Sequence, residues 1–421
     1  DPVAAVAAVD IATARRALGH IDIEYEELPA VFDVDEAQKP DAPLIHEGFD
    51  KYIKVFPAEF SGRNVLSIST VVEGNVDAAW TDCDVIVEGE YQTPGQAHAY
   101  LETNGAVAEF DAAGKVTIWS CVQSIFKIQG AVSEALGIPM AKVRVIATRI
   151  GGGFGGKSEP GTQIVAVALA QATGRPVKVV LTRDEDVTMM RIRHPAKVRV
   201  KTGAKRDGTL VAREIEVLLD GGAFGDDSPG VLGNALWFAG GPYRWEYLRN
   251  WGTLVYTNKL RFGAFRGFGI PQVTFASEQQ IDEIAAKIGM DPLELRERNL
   301  IRSGDRWFSG AEVGSNALGA CIEQVKTRSG WSRRAELKPS SPERKRGMGI
   351  ALTGNVSGLL ATGAIIRMLE DGSIVLNTGA VDIGQGSDTV LTQICAEALK
   401  VPAEQVTLAS PDTDGSPYNW G

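Results

Sequence analysis

The segment GGGFGGKS, residues 151–158, has the residue types and spacing with the most direct chemical meaning. It matches G-x-x-x-x-G-K-[ST], a phosphate-binding loop whose backbone amides, lysine and hydroxyl hold a nucleotide and its Mg²⁺. A strand-like run precedes it, a helix-like run follows it, and a second strand-like run, IEVLLD, ends at Asp220. One hypothesis is therefore a nucleotide-binding protein that uses residues 151–158, with Lys157 on the phosphates and Ser158 on the metal.

Two further glycine-rich segments favour a different ligand, namely GAFRGFG at residues 263–269 and DIGQGSD at residues 382–388. Glycine lets the backbone approach a ligand closely and adopt positive φ, and successive amides can then form a nest for an anion. Phe154 and Phe268 place aromatic faces among these glycines, which suits a planar ring. A phosphate loop alone leaves both the aromatic residues and the companion loops unexplained.

An internal repeat links two of these loops. EALGIPMAKVRV at residues 134–145 and EALKVPAEQVTL at residues 397–408 share the frame E-A-L-x-[IV]-P-x-x-x-V. Each copy follows a strand, a polar loop that contains a glutamine, and a helix; the glutamines are Gln123 and Gln385. Because a glutamine offers both a donor and an acceptor, we expect two similar modules whose loops face one site.

Composition and charge narrow the class of protein. The chain has 421 residues, 44% of them apolar and 23% charged, which is ordinary for a globular protein of two or three domains. No run of 18 or more apolar residues occurs, so we expect no membrane span. The net charge is −10 and the basic residues are scattered, which argues against a nucleic-acid partner. The short basic run RIRH, residues 191–194, is predicted to be solvated surface.

The four cysteines lie far apart and form no C-x-x-C pair. The chain alone should therefore build neither a zinc site nor an iron–sulfur cluster. Nothing in their spacing demands a disulfide, so a reducing, cytoplasmic location is predicted.

The elements that must position these loops indicate an α+β fold rather than a regular alternation of strand and helix. Strands are predicted at residues 83–93, 106–111, 115–120, 142–150, 176–183, 196–205 and 210–225. Helices are predicted at residues 126–136, 163–172, 275–288 and, after an N-cap at Asp291, up to Asn299. Near the start, strands at 3–9 and 21–25 flank a helix at 11–18, and residues 33–60 are an irregular connector.

Taken in order along the chain, these segments resemble the molybdenum-cofactor-binding subunit of the xanthine dehydrogenase/aldehyde oxidoreductase family, the molybdenum hydroxylases. The segment DPVAAVAAVDIATARRAL resembles the end of that family's α/β hammerhead domain, and HAYLE resembles its H-x-x-x-E segment with His98 and Glu102. WSCVQS, GGGFGGK, GAFRGFG and GAVDIGQGSDT follow one another as the family's cofactor loops do. The resemblance implies α+β molybdopterin-binding domains, with a hammerhead remainder over residues 1–45, a first domain over 46–320 and the incomplete start of a second over 321–421.

The resemblance also implies which residues hold the cofactor, which is molybdopterin with molybdenum, in the cytosine dinucleotide form. Gln123, Phe154 and Arg266 occupy the positions that surround the molybdenum, Arg266 through its backbone. Phe268 matches the aromatic residue that packs on the substrate, whereas His98 and Glu102 are expected to be structural. The full implied cofactor-binding set is Gln123, Gly153, Phe154, Gly155, Arg266, Gly384, Gln385 and Gly386.

The implied chemistry is hydroxylation, in which a water-derived hydroxyl group reaches an electron-poor carbon and a hydride passes to a molybdenum–sulfido centre. The family's catalytic glutamate follows the loop of Gln385 in a G-E motif, and no match occurs before Gly421. We therefore expect no catalytic residue in this chain, and a base from further sequence or from a second molybdopterin-domain chain. Electrons would leave through a separate 2Fe–2S subunit and an FAD subunit, so neither an iron–sulfur cluster nor a flavin is expected here.

Departures from the family pattern bear on the substrate. Ser158 and Asn234 stand where the xanthine enzymes carry a glutamate and an arginine, which disfavours xanthine. The IGQGSDT loop and the segment at residues 349–358 are more similar to the nicotinate dehydrogenase and 4-hydroxybenzoyl-CoA reductase branches. An N-heterocycle, an aldehyde and an aromatic acyl-CoA are the substrate classes left open.

Overall fold

The structure is a computed structural model, and it describes residues 2–51, 63–307, 310–339, 341–355 and 360–420. The connector predicted over residues 33–60 and the segment 349–358 therefore lie partly outside the described residues. The strands are β1 (Val65–Glu73), β2 (Val85–Thr93), β3 (Gly105–Phe110), β4 (Val116–Ser120), β5 (Val143–Ala147), β6 (Val177–Val180), β7 (Ala196–Ala204), β8 (Leu210–Gly222), β9 (Tyr247–Tyr256), β10 (Ala364–Met368), β11 (Ile374–Thr378) and β12 (Val406–Leu408). The helices are α1 (Ile11–Leu18), α2 (Val34–Ala37), α3 (Val76–Ala79), α4 (Ile125–Leu136), α5 (Thr162–Thr173), α6 (Arg183–Met189), α7 (Ser228–Phe238), α8 (Ile270–Ile288), α9 (Pro292–Asn299), α10 (Leu318–Ser329) and α11 (Ser387–Leu399).

The largest sheet has the strand order β1-β9-β8-β7-β2, and the pairing is antiparallel except between β8 and β9. Helices α7 and α8 cover one face. Alternate residues of β8, such as Ile215 and Val217, are fully buried against Leu232 and Leu236 of α7. The two-residue period of β8 therefore sets which side of this sheet becomes the core.

A second sheet, of order β5-β4-β3-β6, carries the first copy of the repeat. Strand β4 leads through the loop of Gln123 into α4, and α4 returns to β5, which pairs parallel with β4. Gly137 ends α4 in the left-handed conformation at φ 67°. Ile118, Ile125 and Val143 are completely buried between this sheet and its helices.

The second copy of the repeat forms the same unit in a sheet of order β10-β11-β12. Strand β11 leads through the loop of Gln385 into α11, and α11 returns to β12, which pairs parallel with β11. Lys400 takes the left-handed place that Gly137 holds in the first copy, at φ 57°. The predicted repeat is therefore confirmed as a shared strand–loop–helix–strand unit.

The end of the second unit packs on the first. The Ala147 amide donates to the Pro411 carbonyl at 3.2 Å, and the Thr413 amide donates to the Val145 carbonyl at 3.1 Å. Arg144 on β5 holds Asp412 through its guanidinium, with a 3.1 Å hydrogen bond from Nε. The segment after β12 thus covers an edge of the first unit's sheet.

The α+β fold class is confirmed, but two predicted strands are wrong. Residues 3–9 and 21–25 form no strand, and no ladder in the described chain pairs with them. Val9 is 95% exposed and Ile23 is 42% exposed, so their apolar character reflects no buried sheet position here. The helix between them spans the predicted residues, and Asp291 caps α9 as predicted. No helix in the described ranges is both long and apolar enough to cross a bilayer.

Candidate cofactor site

Gln123 fastens the glycine loop that follows β5. Its side-chain oxygen accepts hydrogen bonds from the amides of Gly155 at 2.9 Å and Lys157 at 3.2 Å. The backbone amide of Gln123 donates to the Lys157 carbonyl at 2.9 Å. These bonds assign the oxygen and nitrogen of the side chain, and within the described residues the NH₂ group has no acceptor. Gln123 therefore keeps one fixed, uncommitted donor.

The loop itself presents further uncommitted donors. Among the described residues, the amides of Gly152, Gly153 and Phe154 donate to no protein acceptor. Gly152, Phe154 and Gly155 have φ values of 90°, 53° and 103°, and the Gly156 amide donates to the Gly153 carbonyl at 2.8 Å, which closes a turn. Successive free amides in such a turn suit an anionic or acceptor-rich ligand.

Close packing requires glycine at two of these positions. A Cβ atom on Gly153 would lie 2.5 Å from Oε1 of Gln123, and one on Gly155 would lie 2.5 Å from the Ala264 carbonyl oxygen. Both distances are far below van der Waals contact. The missing side chains therefore let Gln123 and the second glycine-rich loop approach the first one.

The second loop, residues 263–269, joins the first through its backbone. The Arg266 amide donates to the Phe154 carbonyl at 2.9 Å. Phe268 has φ 43° and lies between Gly267 at φ 89° and Gly269 at φ 93°. Its ring packs against the core of the five-stranded sheet. Gln123, Phe154 and Arg266 are thus brought into one hydrogen-bonded junction.

The two polar residues predicted to contact substrate hold loop backbone instead. The Ser158 hydroxyl donates to the Gly155 carbonyl at 2.8 Å, and the Asn234 side-chain amide donates to the Phe268 carbonyl at 2.7 Å. The next residue, Glu159, is paired with Lys127 at 2.6 Å. These positions therefore offer no unpaired charge.

In the third loop, residues 382–388, the side chain of Gln385 forms its hydrogen bonds with neighbouring residues of the same segment. Gln385 donates to the Val381 carbonyl at 3.1 Å and accepts from the Ile383 amide at 2.6 Å. Gly384 and Gly386 have φ values of 102° and 85°, and Cβ atoms there would meet nothing within 4 Å. Val381 and Ile383 pack into the core beneath α4, so the first unit supports this loop without a hydrogen bond from Gln385 to Gln123.

The geometry does not support the nucleotide-binding hypothesis. The Lys157 side chain is 0% exposed, and its ammonium lies 2.8 Å from Glu102 Oε2. Glu102 also accepts from the Gly151 amide at 2.8 Å. A phosphate-loop lysine must reach the ligand, whereas this one points into the protein. The Ser158 hydroxyl is committed as well, and Asp220 is buried and accepts hydrogen bonds from Thr257 and Lys259, just after β9.

The prediction that residues 191–194 are solvated surface is wrong. Arg191 is 1% exposed and donates to the carbonyls of Gly156 at 3.4 Å, Glu159 at 3.3 Å and Pro160 at 3.2 Å. His194 is fully buried, which lowers its pKa to about 3. The glycine loop turns several carbonyls toward one place, and a guanidinium can satisfy them together. No local sequence pattern indicated this burial, because a short basic run is also typical of solvated surface.

A buried charge cluster lies behind the first loop. Lys127 of α4 contacts Glu159 at 2.6 Å and Asp227 at 3.2 Å, so two carboxylates share one ammonium. Burial, and then the negative charge of Asp227, raise the pKa of Glu159 to about 7. Sequence reasoning missed this cluster because its members come from three distant segments.

The donors gathered at the junction are backbone amides and one side-chain amide. Such groups bind the oxygen, nitrogen or sulfur atoms of an organic ligand better than a bare metal ion, which prefers carboxylate, imidazole or thiolate. The residues therefore fit a cofactor that carries a metal on ligands of its own.

Family comparison agrees with this chemistry. Residues 58–300 match a family model described as a molybdopterin cofactor-binding domain, and residues 324–421 match a second model with the same description. The first match alone spans more than half of the chain. The chain belongs to the molybdopterin cofactor-binding domain family.

Relatives of this molybdopterin-binding chain include two curated bacterial subunits. The xanthine dehydrogenase molybdenum-binding subunit of Escherichia coli O157:H7 is 36% identical over 433 aligned positions, which cover 100% of this chain and 55% of that protein. The nicotinate dehydrogenase large molybdopterin subunit of Eubacterium barkeri is 35% identical over 319 positions, covering 76% of this chain and 72% of that protein. The resemblance to the xanthine dehydrogenase/aldehyde oxidoreductase family is confirmed.

A solved structure shares the fold. The aldehyde oxidoreductase of Desulfovibrio gigas superposes with a TM-score of 0.89 at 31% identity, over 97% of this chain and 44% of that one. The molybdopterin-binding chain thus spans about half the length of several relatives that it matches.

Proposed function

We propose that this chain is part of the molybdopterin-binding catalytic subunit of a molybdenum hydroxylase that oxidises an N-heterocycle, an aldehyde or an aromatic acyl-CoA. The observation that carries the proposal is the junction of Gln123, Phe154 and Arg266, with its uncommitted donors. When bound, a molybdenum–pterin group supplies two-electron oxidation chemistry with oxygen drawn from water. Relatives named as a molybdenum-binding subunit and a large molybdopterin subunit support this assignment.

The chain's own residues bind and orient in this proposal. The NH₂ group of Gln123 and the amides of residues 152–154 donate hydrogen bonds to the cofactor near its metal. Phe154, which is 40% exposed, and Phe268 line the space beside the cofactor and exclude water from the reacting carbon. Gly384, Gln385 and Gly386 hold the pterin portion, because their loop is open to a ligand.

The substrate we propose is one recognised without a buried countercharge at positions 158 and 234. Ser158 and Asn234 are neutral and donate to loop carbonyls, and Glu159 is paired with Lys127. This arrangement supports an N-heterocycle other than xanthine, an aldehyde or an aromatic acyl-CoA as the substrate. The printed names of the relatives include xanthine and nicotinate dehydrogenases and an aldehyde oxidoreductase, so the names alone do not choose among them.

The remaining parts of the enzyme are proposed to lie elsewhere. The general-base glutamate comes from further sequence or from a second molybdopterin-domain chain, and a 2Fe–2S subunit and an FAD subunit carry the electrons away. We propose the cytosine dinucleotide form of the cofactor, a cytoplasmic location, and the domain division 1–45, 46–320 and 321–421. Because relatives are named as subunits, a multi-subunit complex is the natural setting.

The test is analysis of the complex purified with its natural partners. Molybdenum by mass spectrometry and pterin by fluorescence should both be near one per complex, and acid hydrolysis should release a cytosine nucleotide. Turnover in ¹⁸O-water with an N-heterocycle, an aldehyde and an aroyl-CoA should label the product of one class. Active material that contains neither molybdenum nor pterin would refute the proposal.

A further inference from the structure

Arg193 lies directly behind the loop of Arg266. Its Nη2 donates to the Arg266 carbonyl at 2.8 Å, while the Arg266 amide donates to the Phe154 carbonyl at 2.9 Å. Both peptide groups that flank the Arg266 Cα are therefore held by hydrogen bonds. One of those bonds comes from Arg193, which is only 8% exposed.

The guanidinium of Arg193 is also part of a three-layer stack. It lies 4.0 Å from the centroid of the Phe265 ring, and the opposite neighbour of that ring is His98, at 4.2 Å between centroids and 16° between planes. His98 is bonded to the Ala264 carbonyl at 2.8 Å. Stacking on Phe265, together with hydrogen bonds to the Ala264 and Arg266 carbonyls, therefore holds residues 264–266 in place.

These contacts explain how the strained backbone of the first two glycine-rich loops is maintained. Phe154 and Phe268 hold φ values of 53° and 43°, a conformation that is unfavourable for a bulky residue and survives only when the surroundings enforce it. Arg193 fixes the segment that joins these two aromatic residues. Its removal would release that constraint on both.

The charge of Arg193 is not neutralised by the protein. Its acceptors are the Arg266 carbonyl and the Gln272 side-chain oxygen at 3.4 Å, and within the described residues no carboxylate lies at ion-pair distance. Its Nε has no partner there either. A buried cation without a countercharge is costly, since it has left water without gaining an anion.

We propose that Arg193 is the positioning residue of the cofactor loop, and that its uncompensated positive charge stabilises negative charge on a cofactor held by Gln123, Phe154 and Arg266. The inference rests on the proposed function. It assigns Arg193 two separable tasks: the stack and the hydrogen bond set the loop geometry, and the charge sets the electrostatic potential at the site.

Arg213 provides a matched control. Like Arg193 it is a buried arginine that stacks on an aromatic ring (Trp245, at 4.5 Å) and has no carboxylate at ion-pair distance in the described chain. Its hydrogen bonds run to Thr202 and Ser277, within the five-stranded sheet and its helix rather than at the loops. Both arginines therefore carry the free-energy cost of a buried charge, but only Arg193 lies at the glycine-rich loops.

The experiment compares Arg193→Gln, Arg193→Lys and Arg213→Gln in the complete complex. Molybdenum per folded complex and the midpoint potential of the molybdenum centre, titrated by electron paramagnetic resonance, are the readouts. Arg193→Gln should weaken cofactor retention by about tenfold or more, as for other outer partners of metal sites, and lower the midpoint potential. Arg193→Lys should keep the potential and lose retention, and Arg213→Gln should lose thermal stability alone.

Equal molybdenum content and potential in Arg193→Gln and Arg213→Gln would overturn the inference. If Arg193→Gln does not assemble, Arg193→Lys decides: reduced retention at unchanged potential supports the inference, and unchanged retention overturns it. A wild-type complex without molybdenum would instead overturn the proposed function, so the two failures are distinct.

Discussion

Replacing Gly155 with alanine tests how closely the first two glycine-rich loops approach each other. Gly155 has φ 103°, and its new Cβ would lie 2.5 Å from the Ala264 oxygen and 2.7 Å from the Ala264 carbonyl carbon. Both contacts are with backbone, so no flexible side chain can move aside. The neighbouring Arg266 amide, which bonds to Phe154, would be displaced with them.

The cost of Gly155→Ala follows from two terms. The disfavoured backbone conformation costs roughly 1–3 kcal/mol, and overpacking against a fixed neighbour costs roughly 1–3 kcal/mol more. The sum is about 2–6 kcal/mol of unfolding free energy. Gly174→Ala is the control, because Gly174 also has positive φ, at 65°, but a Cβ there would meet nothing within 4 Å. The control should lose only about 1–2 kcal/mol.

Urea titration followed by tryptophan fluorescence measures the two losses, and molybdenum per complex measures the site. We expect Gly155→Ala to be the less stable variant and to retain less molybdenum, with Gly174→Ala close to wild type in molybdenum. If the two variants lose the same stability and hold the same molybdenum, the reasoning about loop contact is refuted.

Three further predictions concern buried charges. Lys157 is paired with Glu102 inside the protein, so neither the wild type nor Lys157→Met should bind ATP in equilibrium dialysis. ATP binding by the wild type that is lost in the variant would contradict this. Glu278→Ala should cost about 1–3 kcal/mol of unfolding free energy in urea titrations, because buried Arg296 loses its 2.9 Å partner and keeps only Asp282 at 2.6 Å, and a loss below about 1 kcal/mol would contradict it. Glu159 has a pKa raised to about 7 when folded, so it binds more protons folded than unfolded. Its contribution to the free energy of unfolding is present below the unfolded pKa and is lost as pH rises to about 7. Thermal stability should therefore fall less between pH 5 and pH 7.5 in Glu159→Gln than in the wild type.

Much of the fold was accessible from the sequence where one face of an element is buried. Strands β2 to β8 fall within the predicted strand segments or overlap them, because alternation reports directly on a half-buried sheet. The two strands predicted near the start failed for the complementary reason. A strand needs a neighbour to satisfy its backbone, and apolar residues such as Val3 and Ile21 do not reveal whether that neighbour is present.

Strand β9 was missed even though it pairs with two neighbours in the largest sheet. Its sequence, YLRNWGTLVY, places Asn250 and Gly252 at buried positions, where alternation rules expect apolar residues. Asn250 is accommodated because its side chain donates to the Leu236 carbonyl at 2.9 Å. At Gly252 a side chain would not fit, because a Cβ atom there would lie 2.6 Å from Cδ1 of Leu232. Such compensation is a property of the tertiary structure and leaves no local pattern.

Some residues of the candidate site could be predicted from the sequence, and others could not. Glycine-rich composition pointed to the loops of Phe154 and Arg266 because close backbone approach requires glycine, and the structure brings these loops together. The residues that support them did not stand out, since the sequence of Arg191 and Arg193 is that of an ordinary basic surface. Burial of the two arginines is made feasible by the carbonyls of residues 156–160 and 266 and by the Asp226 carboxylate, which lies 3.3 Å from Arg191 Nε.

The contact between the two repeat units has a consequence for synthesis of the chain. Arg144 meets Asp412 across 268 residues of sequence. At about 5–20 residues per second, a ribosome needs roughly 13–54 seconds to deliver the second partner after the first. During that interval β5 presents an open sheet edge, which is a template for pairing with other chains. Nascent-chain protection, by a chaperone or by the ribosome surface, should therefore matter most between the emergence of β5 and that of Asp412.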